Sequence, residues 1–582
     1  MYSICTAGHV NHGKTSLVKE LTGVDTDRLT EEQKRGLSIE LGFAKYSFSK
    51  NLYASIIDTP GHENFIRNMI SGTHGVDLVM LVIAANEGIK PQTIEHLRIL
   101  KLLSIKEIVA IITKSDLSNP KQISKLNSDI TELLSKNEID NFNILEISVK
   151  NKKGIDSLKK VLFEKYNQIK KDYSKPSRLS IDRVFSLDGK GTIVTGTLTG
   201  NKITKDSKLV VTPSFKEIKI KGLEAFNSNM EEVIPGSRTS INIQNLGVSD
   251  IDKGEIISEK EFIVRSDLIY VKLNIVKEIK NNSEISFHSG TSKSIGTIKH
   301  IKNSCIAKIN LRNKISFLAG DKFIIRNNNG TSGGGEIIFY EKIINEKKLM
   351  DFKLSEINIV SIMLDQHKVL SISKLKKYLG KNEKYVVNFL KNQNELYLFN
   401  ESSYVAKKEY IKLESKKLYN DVKNYHKLFP LRQGLPISKL NEKTEKNILI
   451  EILVKNKLIT VNGGYIQKIS FKPQINTKDS ELINKYILYL ESNNYMPPTD
   501  KTLSSELMNY LMDNNFIIKC TGNVFYSMKQ FEKLKKEVIR LNTKFKKINI
   551  DLLRDNLGLS RKYCLAILDK LEEEKLFKRS RN

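Results

Sequence analysis

A loop with the spacing Gly, four residues, Gly-Lys-Thr follows a short apolar run near the start of the chain, in "GHVNHGKTSL" at 8–17. Such a loop directs backbone N–H groups at a nucleotide's phosphates, while a lysine neutralises the outer phosphates and a hydroxyl contacts Mg²⁺. Lys14 is therefore predicted as the phosphate cation and Thr15 as a metal ligand, at the start of a helix whose dipole favours anions. The predicted phosphate-binding residues are Gly8, His9, Val10, Asn11, His12, Gly13, Lys14, Thr15, Ser16 and Gly61.

Two further segments supply groups for a Mg²⁺ ion and a γ-phosphate. "DTPGHEN" at 58–64 ends an apolar strand, which predicts Asp58 beside the metal and Gly61 where the backbone meets the γ-phosphate. "EEQKRGLSIELGF" offers Ser38 as a second hydroxyl on the metal, in a loop that orders when a nucleoside triphosphate binds. Thr15, Ser38 and Asp58 are the predicted metal set.

A base-binding segment follows a third apolar strand, predicted at 108–112. In "ITKSDL" the Asp116 carboxylate can accept both N–H donors of guanine's edge, a pattern that adenine lacks, so GTP is predicted in preference to ATP. "ISVKNKKG" at 147–154 is predicted to close the base pocket through backbone N–H groups. The predicted guanine-binding residues are Thr113, Lys114, Asp116, Ser148, Val149 and Lys150. Five motifs in the correct order within about 150 residues indicate a GTPase.

Composition agrees with an intracellular protein that binds nucleic acid. The 582 residues carry a formal net charge of +29, which attracts phosphate backbones at long range. The four cysteines lie far apart without metal-ligand spacing, so we expect core thiols in a reducing compartment. The chain runs directly into its first strand without a signal peptide, and no apolar run reaches the length of a membrane span. We therefore expect a cytoplasmic protein that does not bind membranes.

The elements that must position these motifs change character twice along the chain. Apolar strands alternate with helical patterns to about Asp172, as in an α/β domain with a doubly wound, mostly parallel sheet. Residues 178–345 show short alternating segments broken by Gly, Asn and Asp turns, which predicts two antiparallel β-barrels. Helical periodicity returns after about Glu346, and those 237 residues hold 45 Lys and Arg against 27 Asp and Glu.

A weak repeat of about 60 residues runs through this basic region. Each copy reads as helices followed by a short β-hairpin, which is typical of a winged helix, although a generic helical scaffold would give a similar pattern. The predicted domains are 1–172 for GTP, 173–262 and 263–345 for the two barrels, and 346–408, 409–472, 473–528 and 529–582 for four winged helices.

Several longer motifs resemble one family along the whole chain. They are "RGLSIELGFA", "DTPGHENFIRNMISG", "IDRVFSLDGKGTIVTGTLTG", "AGDKFIIRN…GGGEII" and "FPLRQGLP". In these the chain resembles the bacterial selenocysteine-specific elongation factors, whereas other translational GTPases share only the first three domains in outline. The resemblance implies a monomeric protein that binds GTP and selenocysteinyl-tRNA. It also implies delivery to the ribosome at UGA codons marked by a downstream mRNA hairpin, with GTP hydrolysis on codon recognition.

The resemblance also implies two sets of site residues in the first three domains. His62 would orient the attacking water when the ribosome acts on the switch. Asp182, Arg183 and Arg238 would form the aminoacyl pocket, in which cations distinguish an ionised selenol from a serine hydroxyl. Structural ion pairing on a barrel rim is the competing interpretation, with about equal weight for Asp182.

The last winged helix would bind the mRNA hairpin. Residues 529–582 hold 16 basic and 8 acidic residues. Cationic side chains can grip phosphates there and an aromatic ring can stack on a splayed base, although a solvated charged face would show the same composition. The predicted mRNA-binding residues are Arg561, Lys562 and Tyr563 at the start of a recognition helix and Lys578, Arg579 and Arg581 at the wing.

Three positions depart from the usual family pattern. Asn11 stands where translational GTPases usually have Asp, which is compatible with a K⁺ ion held near the phosphates but also with simple preservation of the loop's hydrogen bonds. Ser38 replaces the usual Thr and keeps the hydroxyl, so metal coordination should survive. Val149 occupies a position that is often small, and its backbone N–H should still serve the guanine.

Two other functions stay open on the sequence. One is a different tRNA-delivering or initiation-type GTPase whose tail binds other RNA. The other is a GTP-gated regulator whose winged helices bind duplex DNA. The GTPase domain followed by two barrels argues against the regulator, because that arrangement is built to hold an aminoacylated tRNA.

Overall fold

The structure is a computed structural model. It describes residues 2–27, 32, 38–49, 52–62, 65–73, 75–168, 171–189, 191–226, 228–327, 330–350, 352–399, 403–440, 444–546 and 548–576. The chain divides into two units, Met1–Lys407 and Lys408–Asn582.

The first domain is the predicted α/β domain. Its strands are β1 (Tyr2–Ala7), β2 (Gly42–Ser49), β3 (Leu52–Asp58), β4 (Leu78–Ala84), β5 (Ile108–Thr113) and β6 (Phe142–Glu146). Its helices are α1 (Lys14–Thr22), α2 (Ile66–Gly72), α3 (Pro91–Leu102), α4 (Pro120–Lys136) and α5 (Ile155–Gln168). The sheet order is β2-β3-β1-β4-β5-β6, with only the edge strand β2 antiparallel to its neighbour.

Every residue of β4 is buried, because helices cover both faces of the sheet, and this explains its continuous apolar run "LVMLVIA". The carboxyl ends of parallel strands meet at one edge of such a sheet. The loops that follow β1, β3, β5 and β6 therefore converge there, and they carry the predicted nucleotide motifs.

Two antiparallel β-structures follow. The first contains β7 (Arg178–Leu187), β8 (Gly191–Thr199), β9 (Ile203–Thr204), β10 (Val210–Val211), β11 (Lys216–Glu217), β12 (Ile220–Ala225), β13 (Ser228–Met230), β14 (Glu232–Val233), β15 (Arg238–Ile243) and β16 (Ile256–Ser258). Eight of these strands form one sheet around a single apolar core, and β9 pairs with β14.

The second is a closed six-stranded barrel in the order β17-β20-β19-β18-β21-β22. Its strands are β17 (Val264–Ile275), β18 (Glu284–Ser289), β19 (Ser292–His300), β20 (Ile306–Phe317), β21 (Lys322–Asn327) and β22 (Gly330–Phe339). The antiparallel architecture predicted for 178–345 is thus present.

A winged-helix arrangement completes the first unit. It contains α6 (Glu356–His367), β23 (Val369–Ser371), α7 (Ile372–Leu379), α8 (Glu383–Lys391), β24 (Leu396–Phe399) and β25 (Tyr404–Lys407). The three strands form a sheet in the order β23-β25-β24, so the last two strands are the wing. Ser355, Ser371 and Asn382 each accept a backbone hydrogen bond at a helix N-terminus, which fixes where the three helices begin.

The second unit continues this pattern of helices and short strands. Its elements are α9 (Lys408–Leu428), β26 (Leu435–Pro436), α10 (Thr444–Lys455), β27 (Ile459–Asn462), β28 (Tyr465–Lys468), α11 (Thr477–Glu491), α12 (Ser505–Asp513), β29 (Ile517–Cys520), β30 (Val524–Ser527), α13 (Met528–Phe545), α14 (Ile550–Leu557) and α15 (Arg561–Glu573). The hairpin β29–β30 packs into the same apolar core as α13, α14 and α15. The wing predicted to carry Lys578, Arg579 and Arg581 lies outside the described residues.

Three of the four cysteines, Cys5, Cys520 and Cys564, are buried thiols as expected. The expectation is wrong for Cys305, which is exposed. Among the described residues no helix is long and apolar enough to cross a membrane.

Candidate functional site

The predicted phosphate loop joins β1 to α1 and folds around the Lys14 side chain. Lys14 is buried, and its Nζ donates to the carbonyl oxygens of Gly8 at 3.2 Å and His9 at 2.8 Å. Burial lowers the pKa of Lys14 to about 8, although Asp58 and Asp27 oppose this shift. An added anion such as a phosphate would favour the charged form of the amine.

Gly61 lies against this loop, as the sequence predicts. A Cβ at Gly61 would lie 2.4 Å from Lys14 Nζ and 2.7 Å from the Val10 amide nitrogen. Only glycine fits there without displacing the phosphate loop. The segment after β3 is thus held close enough to the loop to share one bound ligand with it.

Two residues of α3 support the loop and were not found from the sequence. The Gly8 N–H donates to His96 Nδ1 at 3.0 Å, and the Val10 N–H donates to Gln92 Oε1 at 3.4 Å. Burial lowers the pKa of His96 to about 3, so its neutral ring presents Nδ1 as an acceptor. The available signal was the four-residue spacing of Gln92 and His96, which places both on one face of α3.

The predicted metal ligands come together around Asp58. Thr15 Oγ1 donates to Asp58 Oδ2 at 2.7 Å and lies 3.1 Å from Ser38 Oγ. Thr6 and Thr26 also donate to the Asp58 carboxylate, each at 2.8 Å, and hold its orientation. Hydroxyl and carboxylate oxygens are the ligands that Mg²⁺ prefers, so this set fits the ion.

Asp27 adds a second carboxylate that was missed in the sequence. Ser38 Oγ donates to Asp27 Oδ1 at 2.7 Å. Burial raises the pKa of Asp27, and the nearby negative charges of Asp58 and Glu32 act in the same direction. A cation between these carboxylates would relieve their repulsion. No spacing in the sequence links Asp27, which follows α1, to Asp58 at the end of β3, because only the tertiary structure brings them together.

The predicted base-binding residues also meet. The Ser148 hydroxyl donates to Asp116 Oδ1 at 2.6 Å, which lowers the pKa of Asp116 and keeps it a carboxylate. The Lys114 amine donates to Glu87 Oε1 at 3.4 Å, a partner that the sequence did not indicate. Thr113 Oγ1 donates to the His12 carbonyl at 2.7 Å and so joins the base segment to the phosphate loop.

The remaining predicted nucleotide residues take different places. His12 is buried, with Nδ1 3.3 Å from the Val82 carbonyl oxygen, and burial lowers its pKa to about 4. Asn11 is exposed at the rim with φ of 61°. Val149 packs against the core beneath the base segment, and Lys150 is exposed.

An open pocket of about 500 Å³ lies between the phosphate loop and the side chains of Asp27 and Ser38. It is lined by Val10, Asn11, Gly13, Lys14, Thr15, Ser16, Lys19, Asp25, Asp27, Glu32, Ser38, Gly61 and Lys114. Its lining supplies the phosphate-side and metal-side groups that a nucleotide with Mg²⁺ requires, and Lys114 extends it toward the base segment that carries Asp116.

His62 follows directly after Gly61 and is partly exposed. Its ring centroid lies 5.9 Å from that of Phe65, at the start of α2. The two residues after His62 lie outside the described part of the chain. The structure therefore places the predicted catalytic histidine beside the segment that contacts the phosphate loop.

A second polar cluster joins the α/β domain to the two β-structures. Arg238 donates through both terminal nitrogens to the Asp182 carboxylate and stacks on Phe43, with 3.6 Å between the guanidinium carbon and the ring centroid. Arg183 pairs with Glu40. Glu40 belongs to residues 31–43, the segment predicted to order when GTP binds, which is called the switch segment below. The predicted residues Asp182, Arg183 and Arg238 are thus brought together, and Asp182 is ion-paired as the competing interpretation required.

The pocket beside this cluster holds about 100 Å³ and has more cations than carboxylates. It is lined by Glu40, Leu41, Phe43, Arg67, Asn68, Ser71, Asp182, Arg183, Arg238, Lys253, His288, Gly290, Thr291 and Ser292. Burial lowers the pKa of His288 to about 3, so this histidine adds no charge at neutral pH. Arg67 and Lys253 were missed because only the tertiary structure brings them to Arg238.

The predicted RNA-binding residues occupy the start of α15. Arg561 and Lys562 are exposed, and Lys562 Nζ donates to Thr499 Oγ1 at 2.8 Å. The Tyr563 hydroxyl donates to the Pro497 carbonyl at 2.7 Å, and burial raises the pKa of Tyr563. Both contacts reach the segment between α11 and α12, so this segment lies beside the predicted recognition helix.

Comparison with known proteins agrees with this geometry. Residues 1–168 match the family model of the elongation factor Tu GTP binding domain, and residues 540–582 match that of the elongation factor SelB winged helix. A selenocysteine-specific elongation factor from Desulfomicrobium baculatum is 27% identical over 98% of this chain and 97% of its own length. The factor of the same name from Haemophilus influenzae is 36% identical over 56% of this chain and 52% of its own length.

The fold is also that of a solved structure. The crystal structure of a bacterial selenocysteine-specific elongation factor, EF-Sec, superposes with a TM-score of 0.77 at 24% identity, covering 100% of this chain and 98% of that one. Full-length sequence similarity, the GTP-binding domain and the matching winged helix therefore agree. Over its full length the chain is similar to selenocysteine-specific elongation factors, and its first domain matches the GTP-binding domain of a translational elongation factor.

Proposed function

We propose that this protein carries selenocysteinyl-tRNA, as a complex with GTP, to ribosomes paused at UGA codons that are marked by a downstream mRNA hairpin. GTP hydrolysis on codon recognition then releases the tRNA. The protein acts as a monomer in the cytoplasm. The observation that carries the proposal is the cationic pocket around Arg238, which adjoins the switch segment of the GTPase domain.

This pocket has the chemistry to select a selenol. At neutral pH a selenol is an anion, whereas a serine hydroxyl is neutral. The side chains of Arg67, Arg183, Arg238 and Lys253 carry four positive charges, and Glu40 and Asp182 carry two negative charges, so the lining has a positive surplus. Arg238 is held by Asp182 and Phe43 and needs little reorganisation to meet an anion.

GTP binding is linked to this pocket through the switch segment. The Ser38 hydroxyl contacts that of Thr15, which is also a predicted metal ligand. Further along the same segment, Glu40 pairs with Arg183 and Phe43 stacks on Arg238. A Mg²⁺ ion held by Thr15, Ser38 and Asp58 would neutralise the phosphates of bound GTP and orient them. Ordering of the switch by GTP would thus fix the wall of the aminoacyl pocket, so that charged tRNA is held in the GTP state and released after hydrolysis.

His62 is the residue proposed to orient the water that attacks the γ-phosphate. His62 directly follows Gly61, and Gly61 packs closely against Lys14. Asn11 is proposed as a ligand for K⁺, since its side chain lies at the rim of the phosphate pocket. Arg561 and Lys562 are proposed to bind the phosphates of the mRNA hairpin. The predicted wing residues Lys578, Arg579 and Arg581 are proposed to bind it as well.

The deciding experiment compares the affinity of the GTP form for selenocysteinyl-tRNA and for seryl-tRNA built on the same tRNA. We expect strong preference for the selenocysteinyl form and loss of that preference in Arg238→Gln. Arg312→Gln removes an exposed arginine of the closed barrel that pairs with Glu284, and it should retain the preference. Equal binding of the two tRNAs by the unaltered protein would contradict the proposed substrate.

A further inference from the structure

The first helix of the second unit, α9, carries a row of lysines on one exposed side. With 3.6 residues per turn, these positions fall within an arc of about 100° around the helix axis and extend over roughly 28 Å. All five side chains are exposed. The row consists of Lys408, Lys412, Lys416, Lys423 and Lys427.

The side of α9 next to the lysine arc explains why this helix is fixed in place. Ile411, Leu418 and Val422 are buried and anchor α9 to its module. Of the three carboxylates of α9, Glu414 and Asp421 fall outside the lysine arc and Glu409 falls at its edge; Glu414 pairs with Lys417. The arc thus carries five lysines against one carboxylate.

The lysines of the row are not neutralised within the protein. Across the ranges that the structure describes, none of the five makes an ion pair or hydrogen bond through its side chain. Tyr419 lies in the same arc and is half-buried, which places an aromatic ring among the cations. An ordinary solvated helix surface mixes both signs of charge in similar numbers, whereas this arc holds five lysines and only Glu409 as a carboxylate.

We propose that this lysine row binds the phosphate backbone of double-helical RNA, at a site separate from the start of α15. A rigid, straight row of cations at intervals of about 6 Å, with one of about 10 Å between Lys416 and Lys423, suits a line of phosphates. Contacts of this kind follow the shape of A-form RNA and carry no base specificity. The row would therefore hold an RNA helix of any sequence, while the hairpin is read elsewhere.

The test uses the full chain and a labelled 20-base-pair RNA duplex without a loop, titrated at several KCl concentrations. In Lys412→Gln/Lys416→Gln/Lys423→Gln we expect about tenfold weaker binding at low salt and a salt-dependence slope reduced by about 2 to 3. Lys417→Gln is the matched control, because it removes the same charge from the same helix outside the row. It should stay within about twofold of the unaltered protein.

Thermal melting by circular dichroism checks that the variants fold, and Lys416→Gln against Lys417→Gln repeats the comparison with single substitutions. The hairpin affinity of the triple variant should stay near normal, which separates this site from the proposed message reader. Duplex binding that falls equally in the triple variant and in Lys417→Gln, or does not fall at all, would overturn the proposal. Binding of polyglutamate, a model for an acidic protein, is measured in parallel. If the triple variant loses polyglutamate binding but binds the RNA duplex as before, the proposal is overturned and the row is assigned to an acidic protein.

Discussion

Thr15 Oγ1 and Asp58 Oδ2 are joined by a hydrogen bond of 2.7 Å, although Thr15 lies in the first turn of α1 and Asp58 ends β3. This bond fixes both oxygens at the point where the phosphate loop and the end of β3 meet. Ser38 lies 3.1 Å from the same Thr15 hydroxyl. The three side chains thus form one oxygen cluster whose geometry depends on Thr15.

Replacing Thr15 by Ala should weaken Mg²⁺-dependent GTP binding by about tenfold or more, because a metal ligand and the partner of Asp58 are both lost. Thr15→Ser keeps the hydroxyl and should bind GTP nearly as well as the unaltered protein. Titration of a fluorescent GTP analogue with and without Mg²⁺ measures both effects. The metal assignment is wrong if Thr15→Ala retains the full response to Mg²⁺.

The Asp116 carboxylate should determine the choice of base. Asp116→Asn exchanges an acceptor for a donor, so GTP affinity should fall by about 10²-fold or more while xanthosine triphosphate gains. Ser148→Ala removes only the hydrogen bond that orients Asp116 and should cause a smaller loss without a change of base. Competition binding with GTP, ATP and xanthosine triphosphate checks the order. Equal competition by ATP and GTP in the unaltered protein would refute the base-site assignment.

His62 should affect hydrolysis and leave binding intact. In His62→Ala we expect ribosome-stimulated GTP hydrolysis to fall by about 10²–10⁴-fold, because the water loses its orienting group. GTP and tRNA affinities should stay near normal, since His62 is outside the cluster of Lys14, Thr15 and Asp58. Single-turnover rates on programmed ribosomes measure the effect. An unchanged rate would remove His62 from the mechanism.

Asn11 should control any response to K⁺. If its side-chain carbonyl binds the ion, intrinsic GTP hydrolysis should be faster in K⁺ than in Na⁺ at equal ionic strength. Asn11→Gly should abolish the difference, and glycine tolerates the φ of 61° at this position without strain. Rates that are equal in the two salts would leave Asn11 with a hydrogen-bonding role only.

Arg561 and Tyr563 should contribute to hairpin binding in different ways. Arg561→Ala should weaken binding of the mRNA hairpin to the full chain by roughly 1–3 kcal/mol, through loss of a charge-assisted contact. Arg554→Ala is the control, since it removes an exposed arginine that pairs with Asp551 on the preceding helix. Tyr563→Phe should loosen the contact with Pro497 yet preserve stacking, so it should matter less than Tyr563→Ala.

Hairpin affinity measured at several salt concentrations separates these cases. Arg561→Ala should also reduce the salt dependence, whereas both tyrosine variants should leave it unchanged. An Arg561→Ala protein that binds the hairpin as well as Arg554→Ala would exclude Arg561 from the interface.

The nucleotide motifs and the order of the domain types could be predicted from the amino-acid sequence. Thr15, Ser38 and Asp58 were predicted as one set, and the structure brings them together, because parallel strands must present their carboxyl-end loops at one edge. The continuous apolar run of β4 predicted a sheet covered on both faces. Such features are local or periodic, so they can be read along the chain.

The distant side chains that support these motifs could be identified only from the folded structure. His96, Asp27 and Glu87 contact the nucleotide segments from other elements, and the sequence does not show which segment each of them contacts. The same holds for Arg67 and Lys253 beside Arg238. The Tyr563 hydroxyl is likewise held by the Pro497 carbonyl of a segment more than sixty residues earlier. Packing between elements sets these contacts, and packing depends on surfaces that form only after the whole domain has folded.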